Sequence, residues 1–401
     1  MSDGVMQSVT LKPRRALPFF SRHPWVFSGA IASIAGNPSP GSVIRLLSDD
    51  GTFIAWGLYN PDSNIRVRLY SWQEDRPIDR TIWANRIESA VALRERLFPN
   101  ADERTACRLI NSESDGISGL TVDRYGKHLL VQLTSRAIAI RQAEILEILR
   151  ERLHPCGIWL RTEKGIGESE SLELQDGLLE GDPPPRPLFV EEHGIRFGVD
   201  VIRGQKTGHF LDQRDNRRAA SAYMRDHRVL DMFCHTGGFA LSALQHGGAS
   251  SVLAVDASEH ALNTARANAE LNGLDNRIKF EQSDAYPCLE RLRDRQEKFD
   301  SVILDPPRMA RHRKGLTKAL RGYFSLNRLG TDLLKPGGIL VTCSCSGLVS
   351  HSEFESMLAS VAVQGHREIQ VLERRGAAAD HPVSLSCPEN NYLKCLICRV
   401  I

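Results

Sequence analysis

The chain lacks any apolar run of 18 residues, the length at which a membrane-spanning helix becomes the natural reading. Its first 22 residues mix Asp3, Lys12, Arg14 and Arg15 among the apolar ones, so they do not have the pattern of a secretory leader. A charge excess of one sign is missing too. The net charge over 401 residues is +2, so any nucleic-acid surface has to be a local patch. The nine cysteines are odd in number and irregularly spaced, which argues against a secreted disulfide framework. A reduced, cytoplasmic protein with no membrane segment is the expectation. No repeat or long low-complexity tract interrupts the chain, and its length suggests two or three domains.

Three regions differ in texture. Up to about Trp72, short β-like runs alternate with turn signals: residues 42–47, the turn Asp49-Asp50-Gly51, residues 52–58 and residues 65–70. In the last run apolar residues alternate with Arg66 and Arg68, as in a half-buried strand with a basic outer face. This predicts a small barrel-like β module over 1–72. Residues 73–185 follow, with a helix over 82–97, a strand pair over 119–122 and 128–133, a helix over 138–153 and a strand over 157–160. The segment from Gly181 to Pro187 contains four prolines and reads as a linker.

From 186 to 401, apolar strands at 229–233, 251–255, 278–280, 301–304 and 339–342 alternate with helical periodicity. The tail from Tyr392 to Val400 adds one more strand. That alternation predicts a parallel sheet with helices on both faces.

The first of these strands runs into Asp231-Met232-Phe233-Cys234-His235-Thr236-Gly237-Gly238-Phe239. Glycines at a strand-to-helix turn let the backbone approach a ligand at the carboxyl edge of the sheet. The second strand ends at Asp256, whose carboxylate can accept both hydroxyls of a ribose. The third is followed by Ser283-Asp284-Ala285, from which a side chain can meet an adenine edge. A dinucleotide site would show Gly-x-Gly-x-x-Gly to cradle a pyrophosphate. Two adjacent glycines behind an acid suit the positively charged S-adenosylmethionine instead.

The fourth strand ends in Asp305-Pro306-Pro307-Arg308, and the fifth leads into Cys343-Ser344-Cys345-Ser346-Gly347. A thiolate adding to carbon 6 of a pyrimidine makes carbon 5 nucleophilic, and a carboxylate at N3 stabilises that species. Asp305 and a motif cysteine supply both parts. Cys343 and Cys345 share a face in extended backbone, so spacing alone does not choose between them. Cys345, where the strand opens into a loop, is the more exposed candidate, and Cys343 reads as a small buried hydrophobe. Cys395 and Cys398 have metal-type spacing but no second pair, so no metal site is expected. His235 and His381 read as structural histidines. Arg308, Arg311, Arg313 and Lys314 suit phosphate contacts beside the catalytic tip, and Arg203, Lys206, Arg214, Arg217 and Arg218 form a second basic stretch.

On these residues the chain resembles the bacterial 23S ribosomal RNA (cytosine-5)-methyltransferase I family over nearly its full length. Residues 23–27 and 57–68 resemble that family's PUA domain, an RNA-binding module. Residues 115–126 resemble its central α+β domain, and residues 206–214 resemble the approach to its methyltransferase core. The resemblance implies an α/β chain: a PUA-like domain over 1–72, a central domain over 73–185, and a Rossmann-like class I methyltransferase domain over 186–401. That last domain would hold a mixed, mostly parallel seven-stranded sheet.

The resemblance also implies S-adenosylmethionine as cofactor. Phe210, Gln213, Asp231, Phe233, Thr236, Gly237 and Gly238 would form one part of its site, and Asp256, Ala257, Asp284, Ala285 and Asp305 the other. It places the nucleophile in the Ser-Cys-Ser-Gly element, hence Cys345, puts Asp305 on the base, and implies ribosomal RNA as partner, with Arg66 and Arg68 among its contacts. A homodimer is compatible with it. Unlike many RNA cytosine-5 methyltransferases, this chain has Arg308 rather than a second cysteine after Asp305-Pro306-Pro307. The competing readings are a uridine-5 methyltransferase, a base-amine methyltransferase needing no nucleophile, and a non-catalytic RNA-binding assembly factor.

Overall fold

The structure is a computed structural model that describes residues 6–162, 165–202, 204, 208–310 and 312–401. Arg203, Lys206 and Arg311, three of the basic residues singled out above, lie outside them. The described residues form two compact units. One runs to Leu188 and takes in 200–208 and 379–390; the other holds 189–199, 209–378 and 391–401. No helix among the described residues is long and apolar enough to cross a membrane.

The first unit contains a six-stranded sheet built between Ser8 and Ser71 and a five-stranded sheet built between Ala106 and Gly181. Strands at 43–47, 53–59 and 65–71 fall where turn chemistry and alternation put them. The helix read over 138–153 is broken into Arg136–Ala139 and Gln142–Leu153.

The expected basic outer face of strand 65–71 is not there. Arg66 is half-buried, but Arg68 is only 6% exposed. Its guanidinium donates to Glu170 (2.9 Å) and Ser118 (3.0 Å). Glu170 also accepts from Ser63 (2.6 Å). A charge this buried persists only when paired and hydrogen-bonded, so Arg68 holds this unit together and is withdrawn as an RNA contact. The alternation was real, but another segment of the chain covers its polar side.

The second unit carries the large sheet. Its strands are β1 (Arg228–Met232), β2 (Ser251–Asp256), β3 (Ile278–Gln282), β4 (Phe299–Leu304), β5 (Leu334–Ser344), β6 (Ile369–Arg375) and β7 (Lys394–Val400). The order is β3-β2-β1-β4-β5-β7-β6. Neighbours from β3 to β5 pair in parallel, and β7 runs antiparallel between β5 and β6. The central strands are buried on both faces, as near-continuous apolar runs require. Helices α1 (Arg214–Ser221), α2 (Gly238–Gln245), α3 (Glu259–Leu271), α4 (Ala285–Asp294), α5 (Leu316–Asp332) and α6 (His351–Gly365) complete the frame. The order reverses beside β1, so the turn after β1 lies at the topological switch point where ligands bind in such sheets.

That turn rests on a buried triad. Arg217 on α1 donates to both carboxylate oxygens of Glu192 (3.0 and 2.7 Å) and to the Phe210 carbonyl (2.8 Å). His209 lies 3.1 Å from Glu192. Burial alone would raise the Glu192 pKa, but the Arg217 charge and His209 hold it far below the usual carboxylate range. Arg214 and Arg217 are therefore interior residues, and among the described residues of the second basic stretch only Arg218 is exposed.

A Cβ on Gly238 would stand 2.5 Å from Arg217 Nε. Because the guanidinium is pinned at its other nitrogens, it has little room to yield. Gly238→Ala should lower stability by about 1–3 kcal/mol in urea denaturation. An unchanged midpoint would mean that Arg217 is free to move.

Candidate active site

The five parallel strands, β1 to β5, end at one carboxyl edge of the sheet. After β1 the chain passes through left-handed backbone at Phe233 (φ 65°), His235 (φ 50°) and Gly237 (φ 88°) before entering α2. Two non-glycine residues in that region are uncommon and are held by specific bonds. Cys234 N donates to Val255 O (3.0 Å), Gly237 N to Cys234 O (2.8 Å), and Asn268 Nδ2 to Thr236 O (3.1 Å). Phe210 packs edge-on against His235, with ring centroids 4.9 Å apart. The approach segment and the glycine turn thus meet.

Asp231 is 1% exposed. One carboxylate oxygen accepts from Ala240 N in the first turn of α2 (3.0 Å), and the other, Oδ1, is buried without a hydrogen bond. Burial, then the charge of Asp305, pushes its pKa well above the carboxylate range, and Asp256 adds to the effect. Two carboxylates from neighbouring strand ends thus act on a third that keeps an unsatisfied oxygen. Such an arrangement is costly empty and suits a ligand bearing positive charge.

Asp256 accepts from His235 N and from Ser258 N (2.9 Å each), which ties the glycine turn to the end of β2. Ala257 and Asp284 are exposed and Ala285 is half-buried. No hydrogen bond to the Asp284 side chain occurs among the described residues. Gln213 is buried; its Oε1 accepts from Asn216 (2.6 Å), and its side chain also acts on the Cys343 thiol.

At the far side, Cys343 is fully buried opposite Cys395 in the β5–β7 register. Hydrogen bonding with Cys395, then burial, pushes its thiol pKa well up. Cys345 has left the strand and is partly exposed, with Sγ 3.9 Å from Pro306 O. Ser346 makes that approach possible: its Oγ accepts from Met309 N (3.2 Å) and Ala310 N (3.1 Å). Tyr323 on α5 bridges Ser346 and Ser344 at 3.0 Å each. The loop after β4, with Asp305 half-buried at its start, is thereby clamped to the loop after β5.

Arg308, Arg313 and Lys314 are exposed beside that clamp; Arg308 Nε donates to Ala310 O (3.1 Å). The sequence reading missed Tyr323, the Ser346 clamp and Lys394, a buried cation at the start of β7. His381 is buried against Asp380 (3.0 Å), a structural role. His23, Cys387 and Glu389 bring potential ligand atoms within 4.8 Å of one another. Trp25 N donates to His23 Nδ1 (3.2 Å), so Nε2 carries the proton and faces Glu389 at 3.3 Å. That pair is hydrogen-bonded, not poised for a metal.

Comparison with known proteins gives this edge its context. Residues 177–377 match the family described as S-adenosylmethionine-dependent methyltransferase, and residues 9–72 match the PUA-like domain. The ribosomal RNA large subunit methyltransferase I of Erwinia tasmaniensis is 44% identical over 381 residues, 95% of this chain and 96% of the relative. That of Tolumonas auensis is 42% identical over 396 residues, 98% and 99% of the two chains. An S-adenosylmethionine-dependent methyltransferase structure from Streptococcus mutans superposes with a TM-score of 0.84 at 20% identity, over 98% of this chain and all of that one. A methyltransferase solved with S-adenosylhomocysteine superposes with a TM-score of 0.85 at 22% identity, over the same shares, and likewise shares the fold. With a PUA-like domain followed by a class I sheet whose acidic edge suits a sulfonium cofactor, the chain belongs to the S-adenosylmethionine-dependent ribosomal RNA large subunit methyltransferase I family.

Proposed function

We propose that this protein methylates carbon 5 of a cytosine in large-subunit ribosomal RNA, in the cytoplasm, through a covalent bond between Cys345 and carbon 6. The observation that carries the reading is the Ser346 clamp, which sets the only partly exposed cysteine of the motif against the loop that begins at Asp305. A base-amine methyltransferase would need the acid and the prolines but no such sulfur.

S-adenosylmethionine, when bound, supplies an electrophilic methyl group on a sulfonium. Asp231, with its unsatisfied Oδ1, would face the cofactor's positive charge; Asp256 would take the ribose, Asp284 the adenine edge, and Phe210, Phe233, Thr236 and Gly237 the walls. Gln213, Gly238, Ala257 and Ala285 would complete that site. The Cys345 thiolate forms a bond to carbon 6, and the electron pair of the 5,6 double bond moves onto carbon 5. Asp305 shares a proton with N3 and so stabilises the charge on the ring. After methyl transfer, loss of the proton from carbon 5 restores the double bond, breaks the carbon–sulfur bond and returns the thiolate. With Arg308 in place of a second cysteine, that proton leaves to a group other than a thiol. The exposed Arg308, Arg313 and Lys314 would take phosphates beside the target base, and Arg66 would serve the PUA-like domain.

Cys345→Ala should reduce methyl transfer by about 10³-fold or more with little change in cofactor affinity, whereas Cys343→Ala should keep most activity. The reverse pattern on cytosine-containing transcripts, or equal activity on uridine transcripts, would contradict the assignment.

Asp231→Asn separates stability from binding. A carboxylate whose folded pKa is raised favours folding only while protonated, so that contribution is complete below its unfolded pKa near 3.9 and declines as pH rises. The cofactor-free Asn variant should therefore melt about 2–4 °C higher at pH 7, and S-adenosylmethionine binding by calorimetry should weaken tenfold or more. A variant with unchanged cofactor affinity would remove Asp231 from the site.

Replacing Arg308, Arg313 and Lys314 together by Ala should weaken RNA binding and flatten its logarithmic salt dependence by about 0.7 for each phosphate that is no longer neutralised. An unchanged slope would make this loop solvated surface only.

A further inference from the structure

We propose that Lys394 is a positioning residue that holds Cys345 as a thiolate, its ammonium serving as the counter-charge to the sulfur; this rests on Cys345 being the nucleophile. Lys394 is 1% exposed. It opens β7 opposite Ser344, the residue before Cys345. Its Nζ donates to Ser346 O (2.7 Å) and Tyr392 O (2.8 Å). Both acceptors are neutral carbonyls, and among the described residues no carboxylate forms a hydrogen bond or ion pair with it. Buried lysines are almost always paired with an anion, so this one lacks its expected partner.

The groups that act on its charge are Cys345, Glu353 on α6 and Arg308 on the loop after β4. Arg308 repels it. Glu353 is already committed to capping α6, accepting from Ser350 N (2.8 Å) and Ser350 Oγ (2.7 Å). Tyr323 on α5, which Cys345 also acts on, is bound to Ser344 and Ser346 and has its pKa raised, mainly by burial. The sulfur is what remains. Burial pushes the Lys394 pKa down and a negative Cys345 works against it, leaving it at about 8. Electrostatic coupling is reciprocal: whatever an ionised Cys345 does for the ammonium, the ammonium does for the thiolate. Thiolate chemistry at neutral pH needs such a cation, because an ordinary thiol titrates near 8.5.

The ammonium also holds the main chain of the clamp, gripping Ser346 by its carbonyl while Met309 and Ala310 grip its hydroxyl. Charge and loop position are thus joined in one residue.

The test is the pH profile of iodoacetamide alkylation at Cys345 in the full chain, read peptide by peptide in a mass spectrometer. The wild-type midpoint should lie below the ordinary thiol value; a midpoint at or above about 8.5 overturns the proposal without any variant. Lys394→Met should move the midpoint up by one pH unit or more and cut kcat at pH 7 tenfold or more, with partial recovery at higher pH. Lys394→Arg should restore most of both. A folded Met variant, with wild-type cofactor affinity, whose alkylation profile matches the parent also overturns it. Alkylation does not depend on methyl transfer, so a shifted midpoint in a protein whose Cys345→Ala variant still methylates would separate failure of the nucleophile assignment from failure of the charge pairing.

Discussion

Everything at the reactive edge depends on one hydroxyl. Ser346 Oγ accepts two backbone N–H groups from the loop after β4 and is itself held by Tyr323. Without it the carboxyl ends of β4 and β5 would be neighbouring but independent loops. With it, Asp305 and Cys345 are placed by strands that pair residue by residue from Ser301 to Leu304. Polar groups buried at such a junction are stabilising only when all are satisfied. The Ser344–Tyr323–Ser346 chain meets that condition, and the Lys394 ammonium adds a bond to the Ser346 carbonyl.

The neighbouring acidic cluster follows the opposite logic. Asp256 and Asp305 bear on Asp231, and an oxygen of Asp231 is left without a hydrogen bond. A sequence chosen for stability alone would replace one of these acids. Local rules broken at a site are commonly compensated elsewhere. Here the compensation is the Glu192–His209–Arg217 triad beneath the glycine turn, in which the Glu192 carboxylate is paired with Arg217 and His209. One buried polar group supports the scaffold, and the other keeps an oxygen without a hydrogen bond.

Much of this was legible in the chain because strand ends carry the chemistry in doubly wound sheets. Five apolar runs, each closing on a glycine turn, an acid or a cysteine, locate β1, β2, β3, β4 and β5 and the edge they share. The strand break at Ser344 also explains why Cys345, and not Cys343, is partly exposed. What stayed hidden were interactions across long separations. Arg68 reads as a surface cation until Glu170 is seen to cover it. Lys394 reads as an ordinary strand-initiating cation until β7 is inserted antiparallel beside β5. The strand at 369–375 alternates half-buried and exposed positions, too weak a pattern to stand out among polar residues. The capture of 200–208 and 379–390 by the first unit leaves no local signature at all.

The most direct measurement uses RNA carrying 5-fluorocytosine, in which carbon 5 bears a fluorine that cannot leave as the proton does. Incubated with the full chain and S-adenosylmethionine, it should yield a stable protein–RNA adduct whose digested peptide is modified at Cys345. The absence of an adduct, or an adduct on Cys343 or any other residue, would contradict attack by this sulfur on carbon 6.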